Sequence, residues 1–174
     1  GSAVSGIGAM RNIGQGYVGP IPIPIVIMLG IVLLTWFIMK YTKFGLYIYS
    51  IGGNEKATIA SGVNVNRSKR NIFAFSGLLV GLAGVVLMAR LNSGQPSVGA
   101  GYEFDAITAA VVGGTSFTGG IGNVFGTLIG ALIVGMINNI LNLMNVSTQY
   151  QLIIKGVLIA GAVILDMRTK SART

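Results

Sequence analysis

The sequence predicts an all-α fold, a polytopic transmembrane helical bundle of about five spans, each facing a hydrocarbon core roughly 30 Å thick. Three observations predict it. Of 174 residues, 52% are hydrophobic and only 9% charged, with mean hydropathy +0.76, whereas soluble domains are roughly one quarter charged. The apolar residues fall into long runs that carry almost no charge. Six of the twelve Lys and Arg residues lie in the polar insert 40–70, which separates two of those runs. Loops rich in Lys and Arg stay on the cytoplasmic side during insertion, so this insert is expected to be cytoplasmic and to orient its neighbours.

At the start, Gly1-Ser2-Ala3-Val4-Ser5-Gly6 has no initiator Met, basic n-region or long apolar stretch, so no signal peptide is read there. The chain is expected to be a fragment whose preceding spans are missing. Pro20, Pro22 and Pro24 hold the next residues extended until a helix begins near Pro24, where proline is tolerated in a first turn. The first span, residues 23–39, descends to Lys40, with Trp36, Phe37 and Tyr41 at the level of the inner interface. The second span, residues 72–89, rises to Arg90. After an outer loop of Asn, Ser, Gly, Gln and Pro come Glu103 and Asp105, the latter in position to cap a helix.

Residues 104–118 form the third crossing, short and broken by glycine. Fifteen residues at about 1.5 Å each fall short of the core, so this segment needs other helices or a water-filled cavity to cover its backbone. That makes residues 106–122 a candidate pathway wall. Residues 124–144 and 152–165 supply the last two spans; four crossings plus a re-entrant helix is the alternative. Arg168, Lys170 and Arg173 beyond Asp166 put the C-terminus in the cytoplasm and favour the odd number. Gly77 with Gly81, and Gly126 with Gly130, are GxxxG pairs that let helices approach closely.

Composition excludes several functions. Net charge +8 and pI near 10.1 would suggest nucleic acid in a soluble protein, but here the basic residues flank apolar runs and topology accounts for them. With no cysteine and no histidine, neither disulfides nor Cys- or His-based metal and nucleophile chemistry is available. The four carboxylates Glu55, Glu103, Asp105 and Asp166 are well separated in the expected topology and have no base to work with. No Gly-x-x-x-x-Gly-Lys-Ser/Thr phosphate loop occurs, so ATP hydrolysis is not expected of this chain. No cofactor is implied.

Within the insert, Gly52-Gly53-Asn54-Glu55-Lys56-Ala57-Thr58-Ile59-Ala60-Ser61-Gly62 carries its own helix punctuation: Asn54 as N-cap, Glu55 in the first turn and Gly62 as the residue after the C-cap. A two-turn helix is not stable alone in water. It must lean on something, either a partner or the protein's own inner surface.

These residues also carry a resemblance. The string 52–69 is similar to that of the permease subunits of ribose-type ATP-binding-cassette sugar importers. So are Leu91-Asn92-Ser93-Gly94-Gln95-Pro96, Gly101-Tyr102-Glu103-Phe104-Asp105-Ala106-Ile107, and Gly113-Gly114-Thr115-Ser116 with Gly119-Gly120. Asn138-Asn139 with Leu141-Asn142-Leu143, and Lys155-Gly156 before Asp166, complete the match. The chain from Gly14 onward resembles the C-terminal half of such a permease, and residues 1–174 read as one transmembrane permease domain with a coupling loop at 40–70.

The resemblance implies a membrane-embedded assembly of two permease subunits in the cytoplasmic membrane, with an ATP-binding subunit at the cytoplasmic face and an extracytoplasmic sugar-binding protein above. It implies that Asn54, Glu55, Lys56, Ala57, Thr58, Ser61 and Gly62 form the coupling helix that docks on the ATPase. For the translocation path the expected residues are Thr115, Ser116, Asn138, Asn139 and Asn142, whose amides and hydroxyls exchange hydrogen bonds with sugar hydroxyls without a deep energy well. The same amides could instead join helices to one another. Arg90, Glu103 and Asp105 are expected at the outer face, where they could dock the binding protein.

Rival readings are an ion-coupled secondary transporter, a branched-chain amino acid permease of the wider superfamily, and a passive channel or structural subunit. The first would place ionisable groups deep in the bilayer. None of the acids reads as mid-span, and Lys155, inside the last apolar run, reads as snorkelling to the outer interface, with a pathway or helix-pairing role as its alternative.

Overall fold

A computed structural model describes residues 4–5, 14–94 and 98–171; at residues 4, 5, 93, 162, 165, 166 and 168–171 only the backbone is described. Gln95, Pro96 and Arg173, on which parts of the sequence reading rest, lie outside the described residues. The chain forms two compact units, one from Gly1–Phe44 with Asn64–Gly99 and one from Gly45–Val63 with Ala100–Thr174.

In the first unit, two-residue strands β1 (Val4–Ser5) and β4 (Ser93–Gly94) pair antiparallel, as do β2 (Tyr17–Val18) and β3 (Ile21–Pro22). The β2–β3 turn is Gly19-Pro20, with Gly19 at φ 62°, a conformation a Cβ would disfavour. Helix α1 (Ile23–Tyr41) follows directly, with Pro24 in its first turn. It buries no residue, and Ile25, Leu29, Leu33 and Phe37 face outward, as lipid or a neighbouring helix requires. At its C-terminal end Trp36 and Tyr41 meet edge-on at 5.6 Å, and the Lys40 ammonium lies 5.0 Å from the Trp36 ring centre. Such a collar suits a membrane interface. The other long helix of this unit, α4 (Val65–Leu91), is capped by Asn64, whose side chain accepts the Arg67 N–H at 3.0 Å. Phe44 packs on Phe75 at 5.7 Å.

The second unit holds α2 (Lys43–Gly53), α3 (Glu55–Ala60), α5 (Tyr102–Val112), α6 (Val124–Leu143) and α7 (Thr148–Ser171). Its packing centre is α5 against α6. Gly126 sits on the Gly113 carbonyl and Gly130 on the Ala109 carbonyl, so no Cβ fits at either position. Of the two GxxxG pairs, this is the one that brings backbones together within the described residues. Gly77 and Gly81 on α4 face open space.

Three helix ends share one device. After α3, α5 and α6 the N–H two residues past the C-cap reaches back to the third-last carbonyl, as Val63 to Thr58 at 3.3 Å, Thr115 to Ala110 at 2.9 Å and Val146 to Leu141 at 3.0 Å. The residues between, Gly62, Gly114 and Asn145, have φ of 82°, 86° and 55°.

By length and composition α1, α4 and α6 are long and apolar enough to cross a membrane, and α7, at 24 residues, extends about 36 Å. The fold is thus helical and polytopic, and the segment 104–118 is broken by glycine as expected: α5 stops at Val112, because Gly113-Gly114 closes it with the device just described. One expectation needs correction. The insert 40–70 is not a loop with a single helix. It is helical almost throughout, since Leu46, Tyr47, Ile48, Tyr49 and Ile51 are enough to build α2 ahead of α3, and α4 already begins at Val65.

Candidate functional site

Helix α3 is built as the punctuation predicts. The Asn54 side chain accepts the Ala57 N–H at 3.0 Å, and the Thr58 hydroxyl donates to the Asn54 carbonyl at 2.8 Å. The Ser61 hydroxyl donates to the Ala57 carbonyl at 3.0 Å, and Gly62 supplies the left-handed exit. Glu55 in the first turn suits the positive end of the helix dipole. Only Thr58, 5% exposed, turns inward; Lys56, Ala57 and Ile59 face out, Ile59 being 55% exposed. Between α2 and α3 lies a cleft of about 380 Å³, lined by Leu46, Tyr47, Ser50, Asn54, Ala57 and Thr58 among others. The short helix therefore faces α2 across this cleft while keeping an outer face uncovered.

Just before α3, the end of α2 meets the α5–α6 loop. A Cβ on Gly52 would lie 2.6 Å from the Gly120 nitrogen, one on Gly119 would lie 2.5 Å from the Gly52 oxygen, and the Tyr49 hydroxyl donates to the Gly122 carbonyl at 3.1 Å. The loop is folded on itself: the Ser116 N–H donates to the Ile121 carbonyl at 3.0 Å, and the Gly119 N–H to the Ser116 carbonyl at 3.2 Å.

The expected path residues divide between the two ends of α6. At its N-terminal end Thr115 shares a hydrogen bond with Thr127 at 3.3 Å, and buried Ser116 shares one with Thr118 at 2.9 Å. Asn138 lies eleven residues beyond Thr127, about 16 Å along the helix. There Asn138 donates to the Asp105 Oδ2 at 3.2 Å, and Asn142 accepts from Gln151 at 2.9 Å. Both amides thus join helices, while Asn139 is exposed.

Asp105 and Lys155 form an ion pair, Oδ1 to Nζ at 2.6 Å, with side chains 22% and 11% exposed. Two expectations change here, the snorkelling of Lys155 and the capping role of Asp105. Lys155 takes its helix-pairing role instead of snorkelling, because a nearly buried ammonium is stable beside a carboxylate. Asp105 is not the cap of α5, a place taken by Gly101, whose N–H is bonded to the Glu103 carboxylate at 3.0 Å; Asp105 is instead paired with Lys155. Glu103 and Arg90 are exposed.

Lys155 had a signal in the sequence, since a lysine within an apolar run needs a carboxylate and only four exist. Gln151, 7% exposed and bonded also to the Val146 carbonyl at 2.9 Å, and the Gly52 contact had none.

Residues 2–163 match the family described as the branched-chain amino acid transport system permease component. The chain belongs to that family. Among curated relatives of this permease family, the ribose import permease protein of Haemophilus influenzae is 54% identical over 155 residues, 89% of this chain and 48% of the relative. The ribose import permease protein of Bacillus subtilis is 48% identical over 175 residues, 99% of this chain and 54% of the relative. The xylose transport system permease protein of Haemophilus influenzae is 44% identical over 150 residues, 86% of this chain and 40% of the relative. The chain spans about half the length of the curated relatives it matches. No solved structure matches it. Family membership together with the apolar helices makes it a multi-pass membrane protein.

Proposed function

We propose that this chain is the C-terminal half of the permease subunit of an ATP-binding-cassette importer that moves a monosaccharide, ribose or a close relative, across the cytoplasmic membrane. The observation that carries the reading is α3: a capped, two-turn helix joined directly to the end of α2, with Lys56, Ala57 and Ile59 uncovered for a partner. A helix this short transmits force well, because its caps at both ends leave little chain free to absorb it. The partner is a separate ATP-binding subunit at the cytoplasmic face. A second permease subunit, identical or homologous, completes the channel within the lipid, and an extracytoplasmic binding protein delivers the sugar. The insert 40–70 and the C-terminus then lie in the cytoplasm. Similarity to ribose and xylose permeases supports a sugar as cargo. Thr115, Ser116 and Asn139 are the polar groups proposed for the path, with Asn138 and Asn142 positioned by their helix contacts.

The test uses the cysteine-free chain, within its permease, carrying a single Ala57→Cys substitution in membranes that contain the ATP-binding subunit. An ATP-sensitive cross-link to that subunit is expected. Labelling of the introduced thiol by an impermeant reagent from outside would invert the topology and remove the coupling role.

The Asp105–Lys155 pair gives ion-coupled transport one observation in its favour, an ionisable pair inside the bundle. Against it, Asp105 is only the fourth residue of α5, near a helix end. Uptake that follows the proton or sodium gradient when ATP is absent would select that reading.

A further inference from the structure

From the contact of Gly52 with Gly119 and Gly120 we infer that this is the joint through which movement of α3 enters the membrane helices α5 and α6. The inference rests on the importer reading and names the residues that carry its coupling. Gly52 lies two residues before Asn54, the cap of α3, so a displacement of α3 reaches Gly52 almost at once through the backbone. There the chain touches the α5–α6 loop backbone to backbone, at distances that exclude a Cβ on either side. Side chains ordinarily absorb small shifts by changing rotamer; two glycine backbones in contact have none to change.

Beyond the joint the loop is stiff. Ser116 closes it through its bonds with Ile121 and Gly119, Thr115 ties it to Thr127 on α6, and the Tyr49 hydroxyl holds Gly122 from the α2 side. The next contacts in line are again backbone to backbone, Gly113 with Gly126 and Ala109 with Gly130. At the far end Asp105 grips Lys155, so α7 is bound to whatever α5 does. A continuous series of rigid contacts thus runs from the capped helix to the ion pair, and Gly52 is where it begins.

Gly52 also permits a clean test. It is helical and has no positive φ, so alanine there favours the helix and introduces only a methyl group aimed at Gly120. Alanine at the neighbouring Gly53 would meet nothing nearer than 4.0 Å among the described residues and serves as the matched comparison. Tyr49→Phe removes the hydroxyl without changing volume.

The permease containing this chain, assembled with its ATP-binding subunit and binding protein in vesicles, is assayed for sugar uptake and ATP hydrolysis together. Gly52→Ala is expected to lower uptake per ATP hydrolysed by about fivefold or more, on the order of the smaller couplings known between binding sites. Tyr49→Phe is expected to lower it by a smaller factor, while Gly53→Ala keeps the wild-type ratio. An unchanged ratio in Gly52→Ala overturns the joint. Should Gly52→Ala fail to assemble, Tyr49→Phe decides, and an unchanged ratio there overturns it equally. Wild-type vesicles that show no sugar-stimulated hydrolysis would instead overturn the importer reading itself, a result the variants cannot mimic.

Discussion

The Asp105 carboxylate and the Lys155 ammonium meet at 2.6 Å between α5 and α7, and Asn138 of α6 donates to the second carboxylate oxygen at 3.2 Å. Three helices are tied at one point by groups that are unfavourable apart and favourable together. Removing one charge leaves the other partly buried without a counter-ion, at a cost below the roughly 3–5 kcal/mol of a fully buried pair, whereas removing both can be nearly neutral. Lys155→Met is therefore expected to lower the thermal midpoint of the purified permease sharply. Lys155→Met combined with Asp105→Leu should recover most of the loss. Equal destabilisation by the single and double variants would show that the pair does not couple.

Gly130 sits on the Ala109 carbonyl, while Gly77 faces open space. Alanine at position 130 must push α5 and α6 apart, an overpacking that costs about 1–3 kcal/mol. Alanine at position 77 meets nothing within 4 Å among the described residues. Unfolding in detergent should separate the two variants, and equal midpoints would mean that the α5–α6 contact is looser than the geometry indicates.

The Asn54 side chain holds the Ala57 N–H at 3.0 Å. Asn54→Ala is expected to cost about 1 kcal/mol, the usual value of an N-cap, and nearly all of it should appear as fraying of α3. Amide exchange at Ala57 and Thr58 would then quicken several-fold while exchange in α6 stays unchanged. No change at Ala57 would show that the cap is not what holds the helix.

Gln151 is buried and bonded to both the Asn142 side chain and the Val146 carbonyl, each at 2.9 Å. Gln151→Leu keeps the volume but strips a carbonyl and an amide of their donor, costing about 1–3 kcal/mol. Proteolysis at the α6–α7 turn reads the loss directly; a turn as resistant as wild type would assign the stability to Asn145 alone.

Glu103 remains exposed where Asp105 is not. If Glu103 helps seat the binding protein, Glu103→Lys should weaken uptake at limiting sugar without disturbing assembly with the ATP-binding subunit. Unchanged uptake would remove Glu103 from that surface.

The sequence by itself determined the helices and their ends. A span shows itself through the hydropathy of successive residues, Asn54 and Asn64 cap by reaching three residues along, and Gly62 and Gly114 end helices because only a residue without Cβ adopts their φ easily. Each of these depends on neighbours in the chain, so each is written locally. The same locality explains the misreading. Residues 43–53 mix aromatic, β-branched and glycine residues and read as loop, although they form a helix.

Tertiary structure alone decided which glycine meets which backbone and which carboxylate answers Lys155. With 27 glycines, the sequence offers many surfaces for close approach, and only the registration of helices through space picks out Gly52 with Gly120 and Gly130 with Ala109. Asp105 and Lys155 are fifty residues apart in the chain, and nothing between them encodes their meeting. It follows from the α5–α6–α7 packing, in which two partly buried charges share one place.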